Sequence, residues 1–189
     1  MKNVRIAFYK EDKLTPDEIR QGKKLVGYQE IKCHILFDVK MDFTRKSRLV
    51  AGGHTTSAPS SITYSSVVSR DSVRIAFLVA ALNDLDILAA DVGNVYLNAP
   101  CREKIWTVAG PEFGKDEQGS VMIIKRALYG LKSSGAAWRA TFREYIEGMK
   151  YKSTQADSDV YIRAASKPDG FKYYEMLLVY VDDVLCISH

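Results

Sequence analysis

Leu177–Ser188 reads LLVYVDDVLCIS, and its two central aspartates decide the fold. The flanks are β-branched, aliphatic and aromatic, the composition of a strand. A strand passing straight through would bury at least one of the carboxylates of Asp182 and Asp183. An unpaired buried charge is very costly, and two like charges side by side are worse. The chain is therefore expected to turn at Asp182-Asp183, folding LLVYV back against VLCIS. The favoured hairpin turns place glycine at a position of positive φ, as in Asn-Gly or Asp-Gly. Asp-Asp is a poor choice on those grounds, which points to a use for the carboxylates. An ordinary acidic surface turn also fits this segment, so both readings stay open here.

Working outward, DVYIRAA, the turn KPDG and FKYYEMLLVYV predict two further strand arms ahead of the hairpin. Ser133 or Ser134 caps a helix over AAWRATFREYIEGMKY, with Ala137, Phe142, Tyr145, Ile146 and Met149 near helical spacing. IWTVAG and SVMIIKRAL predict short strands, and YGLKSSG is a glycine-punctuated turn. LDILAADV predicts a short buried strand ending at Asp91. Before it, a helix capped by Ser69 or Asp71 runs to Asn83-Asp84. It is apolar nearly all round, so deep packing is expected. VGYQEIKCHILFDVKMD and RKSRLVAGG predict a hairpin with a basic tip near Asp42-Phe43-Thr44, and HTTSAPSSITYSSVV an extended loop. The first segment, with its Thr15-Pro16-Asp17 turn signal, predicts a peripheral arm or short helix. The order of elements predicts an α+β domain with helices on one side of an antiparallel sheet.

The 189 residues suffice for one ordinary domain, and at 47% hydrophobic and 26% charged a sizeable core can form. The formal net charge of +4 biases weakly towards anionic partners. Cys33, Cys101 and Cys186 form no CxxC pair, and His34, His54 and His189 have no ligand spacing. Neither a disulfide framework nor a zinc site is expected. No stretch nears the roughly 20 apolar residues of a membrane span, and the opening MKNVRIAFYKEDK is too weakly apolar for a leader. The default expectation is an intracellular protein.

Asp91 alone would pass as a strand-end turn residue. Taken with Asp182 and Asp183 it forms a set of hard oxygen ligands from separate strands. Such a set can hold two Mg2+ ions about 3.5–4 Å apart and carry phosphoryl transfer. In the basic hairpin, Lys46 and Arg48 fall on one face by strand alternation, and a guanidinium suits phosphate oxygens. A solvated hairpin tip has the same pattern.

Four blocks, RKSRLVAGGHTT, ILAADVGNVYLNAP, ALYGLKSSGAAW and LLVYVDDVLCI, stand in this order. Together they resemble the reverse transcriptase of copia-type LTR retrotransposons, firmly from about Gly27 onward. The resemblance implies a right-hand polymerase with fingers and palm, the antiparallel palm sheet backed by helices and the thumb missing. The implied layout is an N-terminal arm over 1–23, a fingers hairpin and loop over 24–68, and a palm over 69–189 with interleaved fingers elements. Implied metal ligands are Asp91, the Val92 carbonyl, Asp182 and Asp183, with two Mg2+ ions, or Mn2+ in their place. Implied nucleotide contacts are Lys46, Arg48, Tyr96 as the gate under the sugar, Tyr129, Gly130 and Lys132. The implied activity is RNA-directed DNA polymerisation onto a primer 3′-hydroxyl. Implied partners are an RNA or DNA template with primer, deoxynucleoside triphosphates, and the integrase and ribonuclease H regions of a Pol polyprotein. The setting would be a cytoplasmic virus-like particle or the nucleus. Ser133-Ser134-Gly135-Ala136 departs from the Gln, Pro and Arg that many relatives carry there. Ending at His189, the chain reads as an internal piece of a polyprotein. The competing readings are a non-catalytic retroelement relic and a template-free palm-type nucleotidyl transferase or cyclase.

Overall fold

The computed structural model describes residues 5–11 and 14–189; residues 1–4 and 12–13 of the expected arm lie outside them. Contacts divide the chain into two units, each made of two separate stretches. The first comprises Met1–Tyr64 and Tyr96–Trp138, the second Ser65–Val95 and Arg139–His189.

In the first unit, β1 (Phe8–Glu11) is followed by α1 (Pro16–Arg20) and β2 (Gln29–Glu30). The short helix forms where Thr15 and Glu18 cap each other reciprocally and Pro16 opens the first turn. β3 (Cys33–Val39) and β4 (Arg45–Ala51) make the predicted basic hairpin, in register from Cys33 opposite Ala51 to Val39 opposite Arg45. β6 (Ile105–Val108) and β7 (Val121–Ile124) complete a sheet ordered β1-β7-β6-β2, in which only the β2–β6 pair is parallel. Ile105, Ile124 and Leu128 lie with Ile31 and Ala51 in one apolar cluster; Trp106, Val121 and Leu14 form another.

The second unit is built on a five-stranded antiparallel sheet ordered β5-β11-β10-β9-β8. Its strands are β5 (Asp86–Asp91), β8 (Lys152–Ser153), β9 (Val160–Ser166), β10 (Lys172–Tyr180) and β11 (Asp183–Ser188). Helix α2 (Arg70–Leu82) starts at Ser69, whose hydroxyl accepts the Ser72 amide, and stops at Asn83. Its Ala76 and Ala80 pack with Val160, Leu178 and Ile187. Helix α3 (Ser134–Gly148) packs its Phe142 and Ile146 with Tyr161, Leu177 and Val179. Leu177 and Leu178 are strand neighbours and so face opposite ways. The helices therefore cover both faces, not one as the element order implied. The reason is in LLVYV: a strand apolar on both sides needs cover on both. Each fully buried Leu or Ile contributes about 1.5–3 kcal/mol.

Three expectations of burial are corrected. β5 is not buried: it is the sheet's edge strand and exposed along its length. α2 is not packed all round, since Ile75, Leu78 and Leu82 are exposed while Ala76 and Ala80 make its core contacts. Tyr145 on α3 and Met149 just past its end are exposed, while Ala137 and Ile146 are buried and Phe142 packs beside Ile146.

Candidate active site

The sheet of the second unit positions the acidic residues. Asp183 opens β11 and stands opposite Asp91, the last residue of β5. The Val92 amide donates to the Asp182 carbonyl at 2.8 Å. That bond flanks the Asp91–Asp183 pair, which makes it a narrow, non-hydrogen-bonded pair. Directly opposed residues share a face, with Cβ atoms about 4.5–5.5 Å apart. Two carboxylates so placed repel each other, and among the described residues no lysine or arginine forms an ion pair with Asp91, Asp182 or Asp183. Among the described residues no three His, Cys, Asp or Glu side chains are gathered so that they could hold a metal ion. What the strands assemble is a carboxylate pair, with Asp182 beside it in the turn.

The turn itself lies one residue earlier than the sequence suggested. Tyr180 pairs with Asp183, so the two-residue loop is Val181-Asp182 rather than Asp182-Asp183. Val181 takes φ 58°, the positive φ that a two-residue hairpin turn needs and that glycine normally supplies. For a β-branched residue this is a true outlier, costing on the order of 1–3 kcal/mol. Sequence reasoning missed Val181, because nothing in its chemistry marks it; the only signal was that no residue in the box suits a hairpin turn.

The first unit gathers most of the residues expected to contact a nucleotide. The Tyr96 and Tyr129 rings meet edge to face with centroids 4.8 Å apart. The Arg48 guanidinium lies 5.9 Å from the Tyr129 ring centroid. Val50 bridges to Tyr129, and the Ala51 amide donates to the Tyr129 carbonyl at 2.8 Å. Lys46 stands on β4 opposite Asp38, on the same face as Arg48. Gly130 has φ 91°, and a Cβ there would strike the Ala51 carbonyl. The close approach at this glycine is thus to the chain's own hairpin base. The Lys132 ammonium donates to the Thr56 carbonyl at 2.6 Å, so it ties down the loop after the hairpin.

The family profile described as reverse transcriptase (RNA-dependent DNA polymerase) matches residues 19–189. The chain belongs to that family, in its copia-type retrotransposon branch. It is 30% identical over 143 residues to the Retrovirus-related Pol polyprotein from transposon RE1 of Arabidopsis thaliana, covering 74% of this chain and 9% of that protein. It is 29% identical over 143 residues to the corresponding RE2 polyprotein of the same plant, covering 74% of this chain and 10% of that one. It is 30% identical over 135 residues to the Transposon Ty1-DR4 Gag-Pol polyprotein of Saccharomyces cerevisiae, covering 69% of this chain and 8% of that protein. The chain thus spans about a tenth of the length of these relatives. No helix among the described residues is long and apolar enough to cross a membrane.

Proposed function

We propose that this chain carries the nucleotidyl-transfer centre of a reverse transcriptase, its first unit acting as fingers and its second as palm. The observation that carries the reading is the Asp91–Asp183 pair, opposed across a narrow register position beside Asp182. Two like charges facing each other with no basic side chain paired to them destabilise a sheet, and a cation that comes to them relieves this. Carboxylate oxygens suit Mg2+, which usually takes only one or two protein carboxylates and completes its shell with water and substrate phosphates. The opposed Asp91–Asp183 pair fits one such ion on that count, and Asp182 in the turn with the Val92 carbonyl are the residues that would complete a two-ion site around it. When bound, Mg2+ or Mn2+ supplies charge neutralisation for the attacking primer 3′-hydroxyl and for the departing pyrophosphate.

The chain's own residues do the rest. Arg48, aided by Lys46, grips the triphosphate of the incoming deoxynucleotide through charge-assisted hydrogen bonds. Tyr96 lies under the sugar, where its ring leaves no room for a ribose 2′-hydroxyl. Tyr129 steadies it edge to face, and Gly130 fixes Tyr129 against the hairpin base. Lys132 acts by holding the loop at Thr56. The template is RNA or DNA with a primer, and the chain works within a Pol polyprotein, as its relatives' names describe for them. The test is Asp182→Asn in a complete polyprotein, with primer extension on an RNA template measured against Mg2+. Loss of about 100-fold or more in rate is expected if the residue acts on the transition state. An unchanged rate overturns the proposal.

A further inference from the structure

The proposed chemistry leaves one buried carboxylate of the second unit without a use. Asp159 stands just ahead of β9 and is buried. Its carboxylate accepts from Arg139 Nε of α3 at 2.8 Å and from the Ser66 hydroxyl. A buried ion pair contributes little more stability than apolar packing of the same volume. What this pair holds in place therefore matters more than what it stabilises.

What it holds is the tip of the β10–β11 hairpin. Tyr180 and Asp183 close the two-residue turn, so Val179, opposite Val184, directs its amide and carbonyl away from β11. Its neighbour on that side is the residue just before β9, since Val160 stands opposite Leu178. The Val179 amide donates to the Asp159 carbonyl at 3.0 Å, as a continuing ladder would have it. The Asp159 amide does not return the bond; it donates to the Asp157 carboxylate at 3.1 Å. The Val179 carbonyl accepts instead from the Val68 amide at 3.0 Å. Two segments distant in sequence thus hold one strand residue, and the Asp159 carboxylate ties them together through Ser66. Val179 lies two residues ahead of the strained Val181 and three ahead of Asp182. Across the hairpin, the Asp182 carbonyl accepts the Val92 amide at 2.8 Å. Where Asp182 and Asp183 stand against Asp91 therefore depends on where Val179 is held.

We propose that Asp159, fixed by Arg139 and tied to Ser66, is a positioning residue for nucleotidyl transfer: it sets where Asp182 and Asp183 stand against Asp91. The catalytic half of this rests on the polymerase reading; the anchoring of the hairpin does not. The test uses Ser66→Ala, which cuts the tie and leaves the Arg139–Asp159 pair intact, and Ser66→Thr, which keeps the hydroxyl. In the chain itself, amide hydrogen exchange is followed residue by residue by nuclear magnetic resonance. Ser66→Ala should speed exchange at Val68, at Val179 and, across the hairpin, at Val92 by about tenfold, the effect of losing a hydrogen bond to a charged group. The amide of Glu175, four residues back along β10 and opposite Arg163, should keep its wild-type rate. Ser66→Thr should match the wild type throughout. Asp159→Asn, left with one acceptor oxygen for two donors, should behave like Ser66→Ala. In a complete polyprotein, Ser66→Ala should lower kcat for primer extension by about tenfold or more. KM for the deoxynucleotide should stay unchanged, because the proposed nucleotide contacts belong to the first unit. Equal acceleration at Glu175, no change at Val92, an unchanged kcat, or a rise in KM alone each overturns the proposal. Should Asp182→Asn leave polymerisation untouched while exchange follows the expected pattern, the polymerase reading fails and the hairpin anchor stands.

Discussion

At Asp91 and Asp183, stability and chemistry make opposite demands. Two like charges directly opposed on a sheet cost on the order of 0.2–1 kcal/mol relative to neutral neighbours. The turn beside them adds strain at Val181, whose φ of 58° a glycine would adopt freely. Both features are unfavourable for folding alone, and both sit at the residues the proposed reaction uses, where such strain tends to be kept. A measurable consequence follows for Asp91→Asn. In metal-free buffer the variant should unfold at higher urea concentration than the wild type, by about 0.5 kcal/mol. Millimolar Mg2+ should then raise the wild type and leave the variant nearly unmoved, since a ligand stabilises only the state that binds it. A wild type indifferent to Mg2+ would contradict the assignment of this pair as metal ligands. The presence of a hairpin was legible in LLVYVDDVLCIS because its carboxylates could not be buried. Its centre at Val181 was not, because turn propensity points away from valine and only the strand register places it.

Among the elements, the start of α2 has two carboxyl- or hydroxyl-bearing caps, one local and one distant. Ser69 accepts the Ser72 amide, as the sequence suggested, but Asp157 reaches in from 88 residues away to accept the Ser69 amide at 2.9 Å. It also accepts the Ser72 hydroxyl at 2.7 Å. Burial pushes the Asp157 carboxyl up, but these bonds and that from the Asp159 amide outweigh it and hold it below its ordinary 3.8. A carboxylate with a folded-state pKa below its unfolded value stabilises the fold above the unfolded value. That contribution is lost as pH falls through the folded one. Asp157→Asn should therefore cost on the order of 1 kcal/mol at pH 7, as loss of a good helix cap does. The gap from the wild type should close below about pH 4, as read from urea unfolding at each pH. A gap independent of pH would mean that the charge plays no part. Next to it, Asp159 is 2% exposed. It is satisfied by Arg139 at 2.8 Å and by the Ser66 hydroxyl, which together pin the loop ahead of α2 to α3. Helices and strands were legible from local period and caps. Asp157 and Asp159 were not, because the partners by which they hold α2, α3 and the loop ahead of α2 lie 20 to 93 residues away and no local pattern reports them.

For the whole molecule, the limit of local reading appears most clearly in the grouping of Tyr96–Trp138 with Met1–Tyr64. Apolar runs such as VMII and IWTV announce strands, but not which sheet they join. The same limit explains β5. ILAA reads as buried because it is apolar, yet the strand is the outer one of its sheet, and Leu88 is 68% exposed. Among the described residues no strand pairs with the free side of β5. Its unpaired amides and carbonyls, beside exposed Ile87 and Leu88, form an edge of the kind that recruits another chain's strand. The aspartates at its two ends, Asp86 and Asp91, blunt that edge only at its margins. The chain by itself should therefore associate with rising concentration. Leu88→Lys should suppress this, since a charged lysine on an edge strand disfavours edge-to-edge pairing. Leu88 is largely exposed, so the variant should keep the far-ultraviolet circular dichroism of the wild type. Sedimentation velocity across about a tenfold range of concentration distinguishes the outcomes. Equal association of the two proteins would place the contact elsewhere, and exposed Ile75, Leu78 and Leu82 on α2 would be the next surface to change.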